Sequence, residues 1–195
     1  MTRMLIIGPP GSGKGTQAER ISERLGVVAI STGDIFRAHV KGGTPLGLEA
    51  RKYIDAGDFV PDSVTNEMVR SRLSADDVDN GFLLDGYPRT AGQVDFLDEV
   101  LAQGGQQLDV VLQLTADDDE LVTRLLGRAK DTGRSDDNEA VIRHRLDLYH
   151  EQTEAVVAKY AERGTLTRVD GIGGIDEVTD RVLEAIATAA VAGGR

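Results

Sequence analysis

Gly8-Pro9-Pro10-Gly11-Ser12-Gly13-Lys14-Gly15-Thr16 follows the apolar run Met4-Leu5-Ile6-Ile7 and precedes a helical spacing of Ala18, Ile21 and Leu25. A strand, a glycine loop and a helix in that order make a phosphate cradle. Glycines let successive backbone N–H groups turn inward into a concave nest for anions. The helix N-terminus behind the loop adds unsatisfied donors and the positive end of a dipole. Lys14 is placed to reach the outer phosphates, and a hydroxyl to hold Mg²⁺. In the general pattern Ser or Thr follows the lysine directly; here Gly15 does, and Thr16 comes one later. That Gly-Lys-Gly-Thr variant marks a subgroup of such loops. A glycine-rich turn that binds nothing is the plain alternative, and Gly13-Lys14 in this setting argues against it.

Strand-like and helix-like patterns alternate along the chain. Strands are expected at 3–7, 27–30, 81–85, 108–114 and 165–169. Helices are expected near 14–25, 62–74, 90–103, 118–129, 138–162 and 174–190. The stretch 31–60 interrupts the alternation with two short helix-like pieces. Strands separated by helices pair in parallel through right-handed crossovers. The expected fold is therefore α/β: a doubly wound, five-stranded parallel sheet of the P-loop NTPase type, with ligands at the carboxyl ends of its strands. The phosphate loop, Ser31-Thr32-Gly33-Asp34 and Asp85-Gly86-Tyr87-Pro88-Arg89 each leave a strand directly, so all three should meet at one edge. The 195 residues fit one domain. The tail Ala192-Gly193-Gly194-Arg195 is expected to be frayed.

Composition narrows the class. No apolar run approaches the roughly 18 residues of a membrane span. The N-terminus enters the first strand without a signal-type apolar region, so secretion is not expected. Cysteine is absent, which excludes disulfides and cysteine zinc sites and fits a reducing cytoplasm. His39, His144 and His150 lack metal spacing and read as surface or structural residues. No heptad or large apolar stripe argues for assembly, so a monomer is the default. The net charge of −11 argues against a nucleic-acid or anionic-membrane surface. A phosphate-binding chain this acidic must gather its arginines in one cleft.

Asp85 closes the run Phe82-Leu83-Leu84 and suits the acidic strand end that helps to hold Mg²⁺, directly or through water. A turn or cap aspartate is the alternative. The rigid turn Gly86-Tyr87-Pro88 would aim Arg89 over the cleft, where a planar guanidinium fits phosphate oxygens in pairs. Gln93 carries a donor and an acceptor, which suits a base edge. A surface salt bridge for Arg89 and a solvated helix face for Gln93 are the alternatives. Thr32 would cap a helix or face a ligand, and Arg37 lies one turn further on. Arg128, Arg134 and Arg145 flank a glycine-containing loop that would swing over a bound polyphosphate. Otherwise they are a solvated charge run.

Gly-x-Pro-Gly-x-Gly-Lys-Gly-Thr, Ser-Thr-Gly-Asp-x-x-Arg, Leu-Asp-Gly-Tyr-Pro-Arg-Thr-x-x-Gln and Arg-x-Asp-Asp-Asn together resemble the adenylate kinases, in their order and spacing and over essentially the whole chain. Tyr87 stands where that family most often has phenylalanine. Only residues 129–133 separate Arg128 from Arg134, so the chain resembles the short-lid form without zinc.

The resemblance implies ATP + AMP ⇌ 2 ADP with Mg²⁺, serving adenine nucleotide balance. It implies that Gly11, Ser12, Gly13, Lys14, Gly15 and Thr16 hold the ATP phosphates. Arg128 would lie on the ATP side, and Gly173 would offer backbone to the ATP base. Thr32, Arg37, Asp58, Phe59, Val60, Gly86, Tyr87, Pro88, Arg89 and Gln93 would hold AMP. Arg134 and Arg145 would span the transferring group, with Lys14, Arg89 and Arg128 also catalytic. Thr16 and Asp85 would face Mg²⁺. Residues 31–60 would form a mobile AMP flap and 128–138 a short lid; the lids of adenylate kinases are a recognised case of such gating. The UMP/CMP kinases are the nearest rivals, but they usually carry alanine at the Thr32 position and asparagine near Gln93. A GTP-using donor site is harder to separate, because the donor base is read largely by backbone. A nucleotide-dependent switch or regulatory ATPase would share the phosphate loop without needing the flap or so many cleft arginines.

Overall fold

The computed structural model describes residues 2–134 and 136–193. Ser135 of the arginine–aspartate motif, and Gly194 and Arg195 of the tail expected to be frayed, lie outside the described residues. The described residues form one five-stranded sheet: β1 (Thr2–Ile7), β2 (Val28–Ser31), β3 (Gly81–Asp85), β4 (Val110–Thr115) and β5 (Leu166–Asp170). Its order is β2-β3-β1-β4-β5, and every pairing is parallel.

The three central strands β1, β3 and β4 are largely buried on both faces, as a parallel sheet covered by helices requires, while the edge strands β2 and β5 each expose at least one residue. Alternate residues of β1 part to opposite sides. Leu5 and Ile7 join Phe82, Leu84 and Val111 in one core cluster; Met4 and Ile6 join Leu83, Leu112 and Leu114 in the other. The second cluster is closed by α1 (Lys14–Leu25) and α9 (Ile175–Gly193), through Ile21, Val178 and Val182. Leu83 and Leu84 are wholly shielded, and truncating either to alanine should cost about 3 kcal/mol.

The expected interruption at 31–60 is two helices, α2 (Thr32–Lys41) and α3 (Pro45–Ala56), around a small core of Phe36, Ala50 and Val60. Ser31 is the cap of α2, its Oγ accepting from Asp34 N at 3.3 Å. Thr32, the expected alternative cap, is the first helical residue instead. The chain continues through α4 (Asp62–Leu73), α5 (Ala91–Gln103) and α6 (Asp118–Thr132).

The single helix expected at 138–162 is broken. It comprises α7 (Glu139–Leu148), a π-helical turn at Tyr149–Thr153 and α8 (Glu154–Glu162). Such turns are rare and often lie at functional sites. This one brings Thr153 Oγ1 to the carbonyl of Arg89 at 3.1 Å. At the end of the chain α9 runs through Gly193, so Ala192 and Gly193 are helical rather than frayed.

Register places the site. Ile6 pairs with Asp85, and Asp85 with Ser31. The phosphate loop, the start of α2 and the Gly86 turn therefore leave the sheet at one height.

Candidate active site

The phosphate loop wraps around its own lysine. Gly11 and Gly13 adopt left-handed backbone at φ +86° and +92°, which lets the chain curl, and Gly13 caps α1. Lys14 Nζ sits inside the curl and donates to the carbonyls of Gly8 and Pro9 at 2.7 and 2.9 Å. Burial holds its pKa down at about 8; the nearby charges of Arg89, Arg145 and Arg128 push the same way, and Asp85 opposes them. Gly11, Gly13, Lys14, Gly15 and Thr16 line a cavity of about 450 Å³. Ser12 is buried beneath it, its Oγ without a partner among the described residues.

The same cavity is walled by Arg37, Arg89, Arg124, Arg128, Arg134 and Arg145. That is the local convergence of positive charge which the acidic composition demanded. Arg128 binds Asp137, and Arg145 binds Asp136 at 2.8 Å. These counterions do not saturate the cluster. Burial and then the charge of Arg145 bring the Arg89 pKa down to about 10. Burial also lowers that of Arg134, followed by Arg37 and Arg128. Burial likewise lowers that of Arg145, although Asp136 works against it. Cations that depress one another form a site poised for a polyanion.

A second cavity, of about 80 Å³, lies under α2 and α3. Thr32, Asp58, Phe59, Val60, Gly86 and Gln93 line it. Gly86 is required here. Its φ is +82°, and a Cβ would stand 2.7 Å from Thr32 Oγ1. Its carbonyl accepts from Arg89 Nε at 2.8 Å, which aims that guanidinium into the cleft. Arg89 also lies over the Phe59 ring, 5.2 Å from its centroid. Asp58 meets His144 Nε2 at 2.6 Å, tying the end of the α2–α3 segment to α7. Arg37, Arg89 and Arg145 line both cavities. A third cavity, of about 70 Å³, links Lys14 with Tyr87, Pro88 and Arg89 behind them.

Most of the expected site residues thus converge. Gly173 does not line the large cavity, and a Cβ on it would meet Arg181 and Glu177. Gln93 is not on a solvated face; it is buried, and its side chain bonds to Asp62 and to the Arg89 backbone. Four residues escaped the sequence reading. Arg124 lies four positions before Arg128 on one helical face, a spacing that would have revealed it. Asp136 and Asp137 lie inside the Arg-x-Asp-Asp-Asn motif, but their hold on Arg145 and Arg128 is visible only in the folded chain. Asp62 carries no local signal, because its partners are 28 and 31 residues away.

The sequence model of the adenylate kinase family matches residues 6–165. The chain belongs to the adenylate kinase family. It is 83% identical over 192 residues to an adenylate kinase of Pseudarthrobacter chlorophenolicus, a match covering 98% of this chain and all of the relative. It is 75% identical to that of Renibacterium salmoninarum, over 95% of this chain and 96% of the relative. With the adenylate kinase of Kocuria rhizophila the identity is 69%, over 95% and 99%. The parallel sheet and phosphate loop agree with this membership of the adenylate kinase family. Among the described residues no helix is long and apolar enough to cross a membrane.

Proposed function

We propose that this chain transfers the γ-phosphoryl group of MgATP to AMP, giving two ADP, with the donor on the phosphate loop and the acceptor under α2 and α3. One observation carries this division: two cavities meet at Arg37, Arg89 and Arg145. A group passing between nucleotides in them would cross a seam of guanidinium.

Gly11 to Thr16 offer the ATP phosphates backbone N–H groups and the α1 N-terminus. Lys14 exchanges two loop carbonyls for phosphate oxygens. AMP attacks with an oxygen that is already anionic, so no general base is needed. The new O–P bond forms to Pγ as the bond from Pγ to the β,γ-bridging oxygen breaks, and ADP carries away the electron pair. The barrier is alignment and charge repulsion, which Lys14, Arg89, Arg128, Arg134 and Arg145 reduce. Arg128 is held by Asp137 on the donor side, and Gly173 is assigned to the donor base through its backbone. Thr32, Arg37, Asp58 to Val60, Gly86 to Pro88 and Gln93 are assigned to AMP.

Asp85 Oδ1 is buried without a partner among the described residues, and burial raises the pKa of Asp85 despite Lys14. Thr16 lines the same cavity, and its hydroxyl with Asp85 would supply oxygen ligands that suit a hard cation keeping several waters. Magnesium entering with ATP would be held there and would neutralise phosphate charge. Residues 31–60 act as the flap and 128–138 as the lid, excluding water that would otherwise take the phosphoryl group. The protein is assigned to the cytoplasm as a monomer; it lacks cysteine, and the large exposed hydrophobics among the described residues are Leu25, Leu48 and Ile175.

A coupled assay tests the reading. ADP should form from MgATP only when AMP is added. Equal ATP loss without AMP would overturn it.

A further inference from the structure

Gln93 lines the cavity under α2 and α3, yet only 2% of it is exposed. Its amide is gripped at both ends. Oε1 accepts from the Arg89 backbone N–H at 2.7 Å, and Nε2 donates to Asp62 Oδ1 at 2.7 Å. The other oxygen of Asp62 accepts from Thr90 Oγ1 at 2.8 Å, and Thr90 caps α5. Asp62 is thus fixed between the first turn of α4 and the start of α5.

Neither grip works in reverse. A backbone N–H can only donate, and a carboxylate can only accept. Turning the amide over would set N–H against N–H at Arg89 and oxygen against oxygen at Asp62. Among the described residues each end of the amide still has one function to spare: a second N–H on Nε2 and a second lone pair on Oε1. Side by side, these match an acceptor next to an amino donor, the N1 and N6 edge of adenine. Hypoxanthine and guanine present the opposite pair, N1–H beside O6, and would meet donor with donor and acceptor with acceptor.

We infer that Asp62 is a positioning residue that sets acceptor-base specificity, by dictating which way round the Gln93 amide faces the nucleotide. The inference rests on the reading of this cavity as the acceptor site. Without the carboxylate, only the Arg89 N–H resists reversal, and a reversed Gln93 accepts the hypoxanthine pattern.

The test compares AMP with inosine 5′-monophosphate as acceptor, at saturating MgATP, for the unmodified protein, Asp62→Asn, Asp62→Ser, Asp62→Glu and Gln93→Ala. Thermal melting of each variant accompanies the kinetics. Asp62→Asn should lower the kcat/KM preference for AMP over the inosine nucleotide by about tenfold or more, chiefly through KM. Its kcat with AMP and its KM for MgATP should stay within about threefold, because neither reacting phosphate is touched. Asp62→Glu, still only an acceptor, should keep most of the preference. Asp62→Ser, whose hydroxyl can both donate and accept, carries the same expectation as Asp62→Asn and frees the test from the folding of one variant. An unchanged preference in Asp62→Asn and Asp62→Ser, with lowered melting alone, would overturn the inference and leave Asp62 a brace between helices. A Gln93→Ala variant that keeps the full preference would instead remove the base contact itself, and the acceptor-site reading at Gln93 with it.

Discussion

Arg128 and Asp137 meet as a two-pronged ion pair: Nε and Nη2 donate to the two carboxylate oxygens at 2.7 and 2.6 Å. The Asp137 side chain has no exposure, and it also takes Arg145 Nη1 at 3.4 Å. One carboxylate therefore sets the spacing of two guanidiniums that reach the cleft from α6 and α7. Asp137→Asn keeps the shape and removes the charge. It should lower kcat by about ten- to a hundredfold and stability by about 2–3 kcal/mol. Steady-state assay and denaturant unfolding would read the two effects. A kcat close to that of the unmodified protein would mean that the pair only supports the fold.

Lys14 gives activity and stability opposite slopes in pH. Its pKa is held at about 8 by burial, against the ordinary 10.5. The free enzyme should lose attraction for phosphate as pH rises through about 8, so kcat/KM for MgATP should fall there. Bound polyphosphate favours the ammonium, so kcat should persist to higher pH. Between about 8 and 10.5 the unfolded chain binds more protons at this group than the folded one, so the contribution of Lys14 to stability rises across that window. Lys14→Met should abolish both pH steps, lower turnover by about a thousandfold or more, and leave the protein folded. Coinciding kcat and kcat/KM profiles would contradict the assignment.

Gly57 sits where the flap segment touches α7. Its φ is +80°, and a Cβ would lie 2.7 Å from Val141 Cγ1 and 3.0 Å from Arg145 Cγ. Gly57→Ala should cost about 1–2 kcal/mol of stability through strain and overlap. It should also raise KM for AMP by several-fold, by displacing Arg145 and the neighbouring Asp58, with KM for MgATP little changed. Unchanged AMP kinetics would show that the contact does not reach the site.

Arg89 separates catalysis from stability. It is a half-buried cation among other cations, so its removal relieves repulsion while losing the contacts to the Gly86 carbonyl and the Phe59 ring. Arg89→Ala should lower kcat/KM for AMP by about a hundred- to a thousandfold and shift stability by less than about 1 kcal/mol. If the variant unfolds, the role of Arg89 is structural.

Local pattern exposed what local chemistry determines. The glycines of the phosphate loop and the apolar strands are legible because each is decided by neighbours in the chain, whereas the cap of α2 falls on Ser31, one residue before the expected Thr32. β3 was read with its observed bounds, and the other strands to within two residues at either end. The break at Tyr149–Thr153 was not legible: its apolar spacing is helical, and the π turn answers to Arg89, 64 positions away from Thr153. Asp62, and with it the orientation of the Gln93 amide, escape for the same reason. A glutamine with a donor and an acceptor is visible in a sequence, but the groups that decide its orientation are brought to it by folding.

The pairing of Ile6 with Asp85 and of Asp85 with Ser31 fixes the relative height of three loops that share no covalent neighbourhood. Substrate alignment is in that sense inherited from main-chain hydrogen bonds, which side-chain replacement does not edit. The sheet works as a ruler, and its graduations are whole residues. A deletion among residues 82–84 would move Asp85 and Arg89 against Lys14 by one graduation while sparing every residue assigned to a nucleotide. Such a lesion would be silent in any inventory of contacts and fatal to the reaction.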